Sequence, residues 1–190
     1  MNTPDLSTLN HRENLSQWLN ENGLTHTMAE IGVAYGGFAR IVLKGWNGGR
    51  YVLVDPWVVQ SKAVYKERTE GIPYNSWYDQ CLRLSQEDRR VSILRGFSPE
   101  ISAFVVDGSL DVAYIDGNHC REAVHADIAA WLPKVKVGGI LCGHDYYDAT
   151  TGGHYCEVKT VVDTWANLNG WKIFTTPCSS WWTVKTAPTT

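Results

Sequence analysis

The stretch Met28, Ala29, Glu30, Ile31, Gly32, Val33, Ala34, Tyr35, Gly36, Gly37 sits where a strand gives way to a helix. A short apolar run ending in Met28 and Ala29 suits a buried strand. Phe38, Ala39, Ile41, Val42 and Leu43 then follow at the spacing of one helical face. Between them lies a glycine-rich turn. Such a turn lets a ligand approach bare backbone, while the free N–H groups of the helix start attract negative charge. A nucleotide-like ligand fits a pocket of that kind.

Glycine spacing narrows the choice. The dinucleotide fingerprint G-x-G-x-x-G needs a glycine at position 34, where this chain has Ala34. What stands here is acid-x-Gly-x-x-x-Gly, from Glu30 through Gly32 to Gly36. A second acid, Asp55, closes the next apolar run, Tyr51 to Val54. An acid leaving the second strand of a doubly wound sheet reaches the ribose hydroxyls of a ligand on the first turn. Glu30 is placed to orient the loop or to accept from a cationic ligand group. Taken alone, each motif also has a plainer reading, a capped strand and a surface acid.

The chain has 190 residues, the size of one domain with a full core. Its expected divisions are an N-terminal helical extension over 1–24, a core over 25–185 and a tail over 186–190. A net charge of −3 and a pI near 6.0 give no reason to expect nucleic acid or an anionic membrane as partner, and favour a small or neutral substrate. No apolar run approaches the roughly 18 residues of a membrane span, and Met1 to Asn14 lacks a signal-like apolar core, so a cytoplasmic location is expected. The oligomeric state is left open, with a homo-oligomer among the options. The five cysteines have no paired C-x-x-C spacing and read as reduced thiols, mostly in the core. His154 and Cys156 lack the other half of a zinc site.

Residues before Asn10 are expected to fray, and Leu15, Trp18 and Leu19 form a helical stripe stopped at Gly23. Pro56 to Tyr78 is a long connection carrying Trp57, Tyr65, Tyr74, Trp77 and Tyr78, a composition suited to a substrate wall or to anchoring an extra helix. A helix near Ser76 to Leu84 precedes a third strand, Val91 to Leu94. The turn Arg95 to Pro99 follows it. A fourth strand, Val112 to Ile115, ends in Asp116. A helix whose face carries Ala123, Val124, Ile128, Trp131 and Leu132 stops near Pro133. Gly138 and Gly139 open a fifth strand, Ile140 to Cys142, tipped by His144 and Asp145. A helix over Val158 to Trp165 and a hairpin of Lys172–Phe174 with Trp181–Val184 complete the pattern. The alternation specifies an α/β fold: a Rossmann-like, doubly wound, mostly parallel seven-stranded sheet with an antiparallel C-terminal strand and helices on both faces.

Asp116 and the pair His144, Asp145 leave neighbouring strand tips, and ligands of open α/β sheets sit beyond those ends. Carboxylates with open positions suit Mg²⁺, and an imidazole shifts the preference toward Mn²⁺ or Fe²⁺. His119, three residues after Asp116, is a candidate general base. Each residue alone has a structural reading as a cap or a helix-start side chain. Four titratable groups converging on one pocket favour a site. His11, His26 and His125 are read as structural.

The acid-x-Gly-x-x-x-Gly turn, Val54-Asp55-Pro56-Trp57, Tyr114-Ile115-Asp116-Gly117-Asn118-His119, Gly138-Gly139 and Gly143-His144-Asp145-Tyr146 together resemble class I S-adenosylmethionine-dependent methyltransferases. The likeness runs from about Thr27 to Trp165. It is greatest to the small bacterial group of macrocin-type sugar O-methyltransferases and cephalosporin hydroxylase-associated proteins, distant relatives of catechol O-methyltransferase. The resemblance implies that Gly32 and Gly36 pass under the methionine part of S-adenosylmethionine, with Glu30 supporting the turn. By the same likeness Asp55, followed by Pro56, holds the ribose, and Gly96, Phe97 and Ser98 border adenine. Asp116 faces the cofactor and, with His144 and Asp145, matches the ligands of a divalent cation, while His119 matches the base. His144 departs from the acid or amide common there, and Cys120 and Arg121 stand where an aromatic is usual. The implied reaction is methylation of a hydroxyl on a small sugar-like or phenolic acceptor. Two other readings compete. One is a short-chain NAD(P)-dependent oxidoreductase using Tyr155 and Lys159, and the other a non-catalytic S-adenosylmethionine-binding module.

Overall fold

The computed structural model describes residues 4–60, 71–149 and 155–187. Five strands, β1 (Thr27–Ile31), β2 (Arg50–Asp55), β3 (Val91–Arg95), β4 (Leu110–Ile115) and β5 (Val135–Gly143), run parallel. Between and around them lie α1 (Leu15–Glu21), α2 (Gly37–Gly45), α3 (Tyr74–Glu87), the one-turn α4 (Ser98–Ile101) and α5 (Arg121–Trp131). After β5 come the short pair β6 (Asp148–Ala149) and β7 (Cys156–Glu157), then α6 (Val158–Asn169), β8 (Phe174–Thr175) and β9 (Trp181–Val184). The main sheet has the order β3-β2-β1-β4-β5-β9-β8, with β9 antiparallel to both neighbours. The expected seven-stranded, doubly wound sheet is therefore present.

Strand alternation divides the core into two layers. Met28 of β1 packs with residues of α1, α2 and α3 on one face, and Ala29 and Ile31 pack with α5 and α6 on the other. The chain winds outward from β1 to β3 and then crosses back to β4. That reversal leaves a crevice between the tips of β1 and β4.

Besides β8, which lies at Phe174–Thr175 rather than Lys172–Phe174, and α3, which is longer at both ends than Ser76 to Leu84, three differences from expectation bear on the packing. The first strand does not end at Ala29, because Glu30 and Ile31 keep pairing with both β2 and β4. The fifth strand begins before Gly138 and Gly139, which form a bulge: pairing with β4 jumps from Leu110↔Val135 to Val112↔Ile140. Gly139 passes so close to its neighbour that a Cβ there would lie 2.7 Å from the Asp111 carbonyl oxygen. The third difference is the N-terminal segment, which is packed rather than frayed. Leu6 and Leu9 enter the core, and the Trp18 indole donates to the Thr8 hydroxyl at 2.9 Å. The aromatic connection is described outside 61–70 only, so Tyr65 lies beyond the described residues. Among the described residues no helix is long and apolar enough to cross a membrane.

Candidate active site

The glycine turn is held by contacts that explain its residues. Gly32 has φ +86°, and a Cβ there would lie 2.2 Å from the backbone oxygen of Asp116, so only glycine lets the tips of β1 and β4 meet. Ala34 adopts a left-handed φ of +52° although it is not glycine. Asp55 secures that geometry: one carboxylate oxygen accepts from Val33 N (2.9 Å) and Ala34 N (3.1 Å), and the other from Trp57 N (2.7 Å). The Trp57 indole in turn donates to the Ala34 carbonyl at 2.7 Å. Burial raises the Asp55 pKa despite these donors.

Beneath the turn, Glu30 is buried and accepts from the Tyr51 hydroxyl at 2.7 Å, so it is no surface acid. Burial pushes its pKa up to about 8, opposed by the Tyr51 bond and reinforced by Asp116 and Asp55.

A cavity of about 680 Å³ opens over this floor. Its wall includes Glu30, Gly32, Asp55, Pro56, Gly96, Phe97, Ser98 and Asp116, which brings together most of the expected cofactor residues. Gly36 is not among them; the side a Cβ would occupy faces Cys81 and Leu84, and Gly37 lines the cavity instead. Val58, Ile72, Tyr74 and Trp77, from the described parts of the aromatic connection and the start of α3, form one flank.

Among the wall residues that were not anticipated, two stand out. Asp127 of α5 accepts from the Ser98 hydroxyl, which itself accepts from the Trp131 indole at 2.8 Å. Burial raises Asp127 to about 7. An acid inside the buried stripe Val124, Ile128, Trp131 was the signal available in the sequence. Arg12 is the second. It lies between the segment expected to fray, before Asn10, and the helical stripe that begins at Leu15, where periodicity carried no signal.

Beside the cavity, Asp116, His144 and Asp145 can each offer one ligand atom within 4.8 Å of one another. The adjoining tips of β4 and β5 place them: His144 N donates to Ile115 O at 3.1 Å, and Asp145 takes a left-handed φ of +54°. His119 Nε2 lies 3.1 Å from Asp145 Oδ2 and 3.7 Å from Asp116 Oδ1. His144 Nδ1 lies 3.0 Å from Asp145 Oδ1. Burial opposes charging His144, but its bond to Asp145 and the charges of Asp116 and Asp145 raise its pKa overall. The same contacts outweigh burial at Asp145 and lower its pKa. One nitrogen and two carboxylate oxygens, partly buried, form a donor set that fits a divalent cation. Asp116 belongs to both the cavity wall and this cluster, whereas His119, His144 and Asp145 lie beyond the wall.

The oxidoreductase pair stands outside the cavity wall. Lys159 reaches Asp163 and sits over the Tyr146 ring, 5.3 Å from its centroid, and neither Tyr155 nor Lys159 lines the cavity.

A doubly wound sheet with a cavity at its switch point defines a Rossmann-like fold. Residues 29–146, more than half of the chain, match the family described as Methyltransferase domain, and the chain belongs to that family. No match to a curated protein sequence was found. Solved structures share the fold. The O-methyltransferase NovP is 16% identical, with 93% of this chain and 78% of that one covered and a TM-score of 0.65. A Staphylococcus aureus protein provisionally described as a caffeoyl-CoA O-methyltransferase is 16% identical, with 92% and 82% covered and a TM-score of 0.65. Cofactor-bound Rv0187 from MTB is 12% identical, with 91% and 78% covered and a TM-score of 0.60. At these identities the likeness concerns the fold.

Proposed function

We propose that this protein moves the methyl group of S-adenosylmethionine to a hydroxyl of a small, sugar-like or phenolic acceptor, with a divalent cation assisting. The observation that carries this reading is the position of Asp116, which joins the cavity over the glycine turn to the cluster of His119, His144 and Asp145. S-adenosylmethionine supplies an electrophilic methyl on a sulfonium and leaves as a neutral thioether. A cation held by Asp116, His144 and Asp145 would acidify a neighbouring hydroxyl.

The chain's own residues do the rest. Gly32 and Gly37 let the ligand lie against backbone, Asp55 and Pro56 border the ribose, and Gly96, Phe97 and Ser98 border adenine. His119 removes the acceptor proton as the oxygen attacks the methyl carbon, and Asp145 and Asp116 stabilise the imidazolium that forms. The reaction then ends with the methyl on oxygen, the proton on His119 and the sulfur neutral.

Calorimetry tests the cofactor and isotope transfer the chemistry. S-adenosylhomocysteine should bind and NAD(H) should not, and labelled methyl should reach a hydroxylated acceptor. Binding of NAD(H) alone would replace this reading with the oxidoreductase one. Tight S-adenosylhomocysteine binding without transfer to any member of a broad sugar and phenol panel would favour the non-catalytic module.

A further inference from the structure

The charges around the cavity are unequal. Among the described residues of its wall, Glu30, Asp55, Glu100, Asp116 and Asp127 are acids, and Arg12 is the cation. Arg12 arrives from outside the sheet, on the 3₁₀ turn Arg12–Asn14 just before α1. Its guanidinium carbon lies 5.6 Å from the centroid of the Phe38 ring, at the start of α2. One guanidinium nitrogen is 3.9 Å from Asp116 Oδ2, an ion-pair distance longer than a hydrogen bond.

We infer that Arg12 anchors the α-carboxylate of the cofactor's methionyl end, and that Arg12 with Asp116 forms a cradle for an amino-acid zwitterion. This rests on the S-adenosylmethionine reading above and adds to it a residue from the N-terminal segment. S-adenosylmethionine carries two positive groups, the sulfonium and the ammonium, and one negative group. Burial favours the neutral form of Glu30 and Asp127, but Asp55, Glu100 and Asp116 still leave the described wall acidic, and the fixed positive charge that a carboxylate meets there is Arg12, near the start of α2. A guanidinium offers paired donors that match a carboxylate. The ammonium is then left to Asp116 Oδ2, the oxygen that faces Arg12, while Oδ1 faces His119. Phe38 supports the flat side of the guanidinium and limits its swing.

The test compares ligands that differ only at that end. S-adenosylmethionine and decarboxylated S-adenosylmethionine share the adenosine, sulfonium and amine, and 5′-methylthioadenosine lacks the whole amino-acid part. Calorimetry on the parent should show S-adenosylmethionine bound about 10- to 100-fold more tightly than its decarboxylated form, the scale of a charge-assisted hydrogen bond. In Arg12→Met, which keeps an apolar stem over Phe38, that preference should fall to within about twofold, with 5′-methylthioadenosine affinity unchanged. Arg12→Lys should keep part of it. A variant that bound 5′-methylthioadenosine normally and still preferred the carboxylated ligand as the parent does would overturn the assignment of Arg12. So would an Arg12→Met variant that lost affinity for all three ligands equally, since that marks a general role in packing. Failure of the parent to bind any of the three would instead overturn the cofactor reading itself.

Discussion

The carboxyl group of Glu30 lies under the glycine turn, fully enclosed, with the Tyr51 hydroxyl as donor and the charges of Asp55 and Asp116 nearby. Its folded pKa of about 8 stands above the ordinary value of 4.5, so between those values the native state binds the proton that the unfolded chain has released. Stability from this group is therefore complete below about pH 4.5 and is lost as pH rises through about 8. Denaturant titrations of the cofactor-free protein at pH 5 and pH 8 should show the parent losing stability at the higher pH, and Glu30→Gln, neutral throughout, losing less. Equal losses in both would mean that Glu30 is ionised in the fold. Gly32 is the neighbouring test. A methyl there meets the Asp116 backbone at 2.2 Å and sits at a φ hostile to L side chains. Gly32→Ala should thus cost about 2 to 5 kcal/mol in thermal or denaturant unfolding, from left-handed strain and overpacking together. Ala34 shows where residue-level reading reached its limit. Its identity argued against a dinucleotide turn, yet the backbone adopts positive φ all the same, because Asp55 and Trp57 hold it from outside the motif.

Among the elements, α3 and the connection before it present Tyr74 and Trp77 to the cavity, and Trp77 also packs 6.1 Å from Tyr35 and 5.8 Å from Tyr74 between ring centroids. As a flank for the acceptor, this surface should respond to the acceptor more than to the cofactor. Trp77→Ala should raise the acceptor KM several-fold with S-adenosylhomocysteine affinity nearly unchanged, and amide exchange over 71–78 should slow when both ligands are bound. A variant with weakened cofactor binding and unchanged acceptor KM would move the acceptor elsewhere. Strands and long helices were legible because their apolar spacing is local: α2, α5 and α6 lie close to where periodicity put them. The N-terminal segment was not legible. Leu6 and Leu9 make contacts with no helical or strand period to announce them, and Arg12 acquires meaning only when the chain folds it over Phe38 and Asp116. The start of β5 was misjudged because two glycines usually mark a turn, and here they mark a bulge whose closeness to Asp111 no sequence rule displays.

For the molecule as a whole, the candidate chemistry depends on two strand tips being neighbours, β4 carrying Asp116 and His119 behind it, and β5 carrying His144 and Asp145. Chelation should abolish methyl transfer with S-adenosylmethionine binding largely intact, and Asp145→Asn should mimic it. His119→Ala should lower turnover by roughly 10²- to 10⁴-fold, less at high pH where solvent takes the proton. The two losses should not multiply. Full activity in a metal-free sample verified by elemental analysis would remove the cation from the mechanism, and parental turnover in His119→Ala would remove the base. The strand tips were paired correctly from their order in the chain, since an alternating βα pattern restricts which ends can meet. The contact of Gly32 with Asp116 and Gly117 also bears on how the protein comes into being. The ribosome releases the glycine motif long before it releases β4, so the growing chain carries the motif without the opposite wall of its pocket. A ligand that needs both walls would then capture only a chain whose second half has arrived. Cutting at the exposed loop around Gly108 should accordingly give two fragments that each ignore S-adenosylhomocysteine in calorimetry and bind it once mixed, whereas binding by 1–108 alone would show that the first half shapes the pocket unaided.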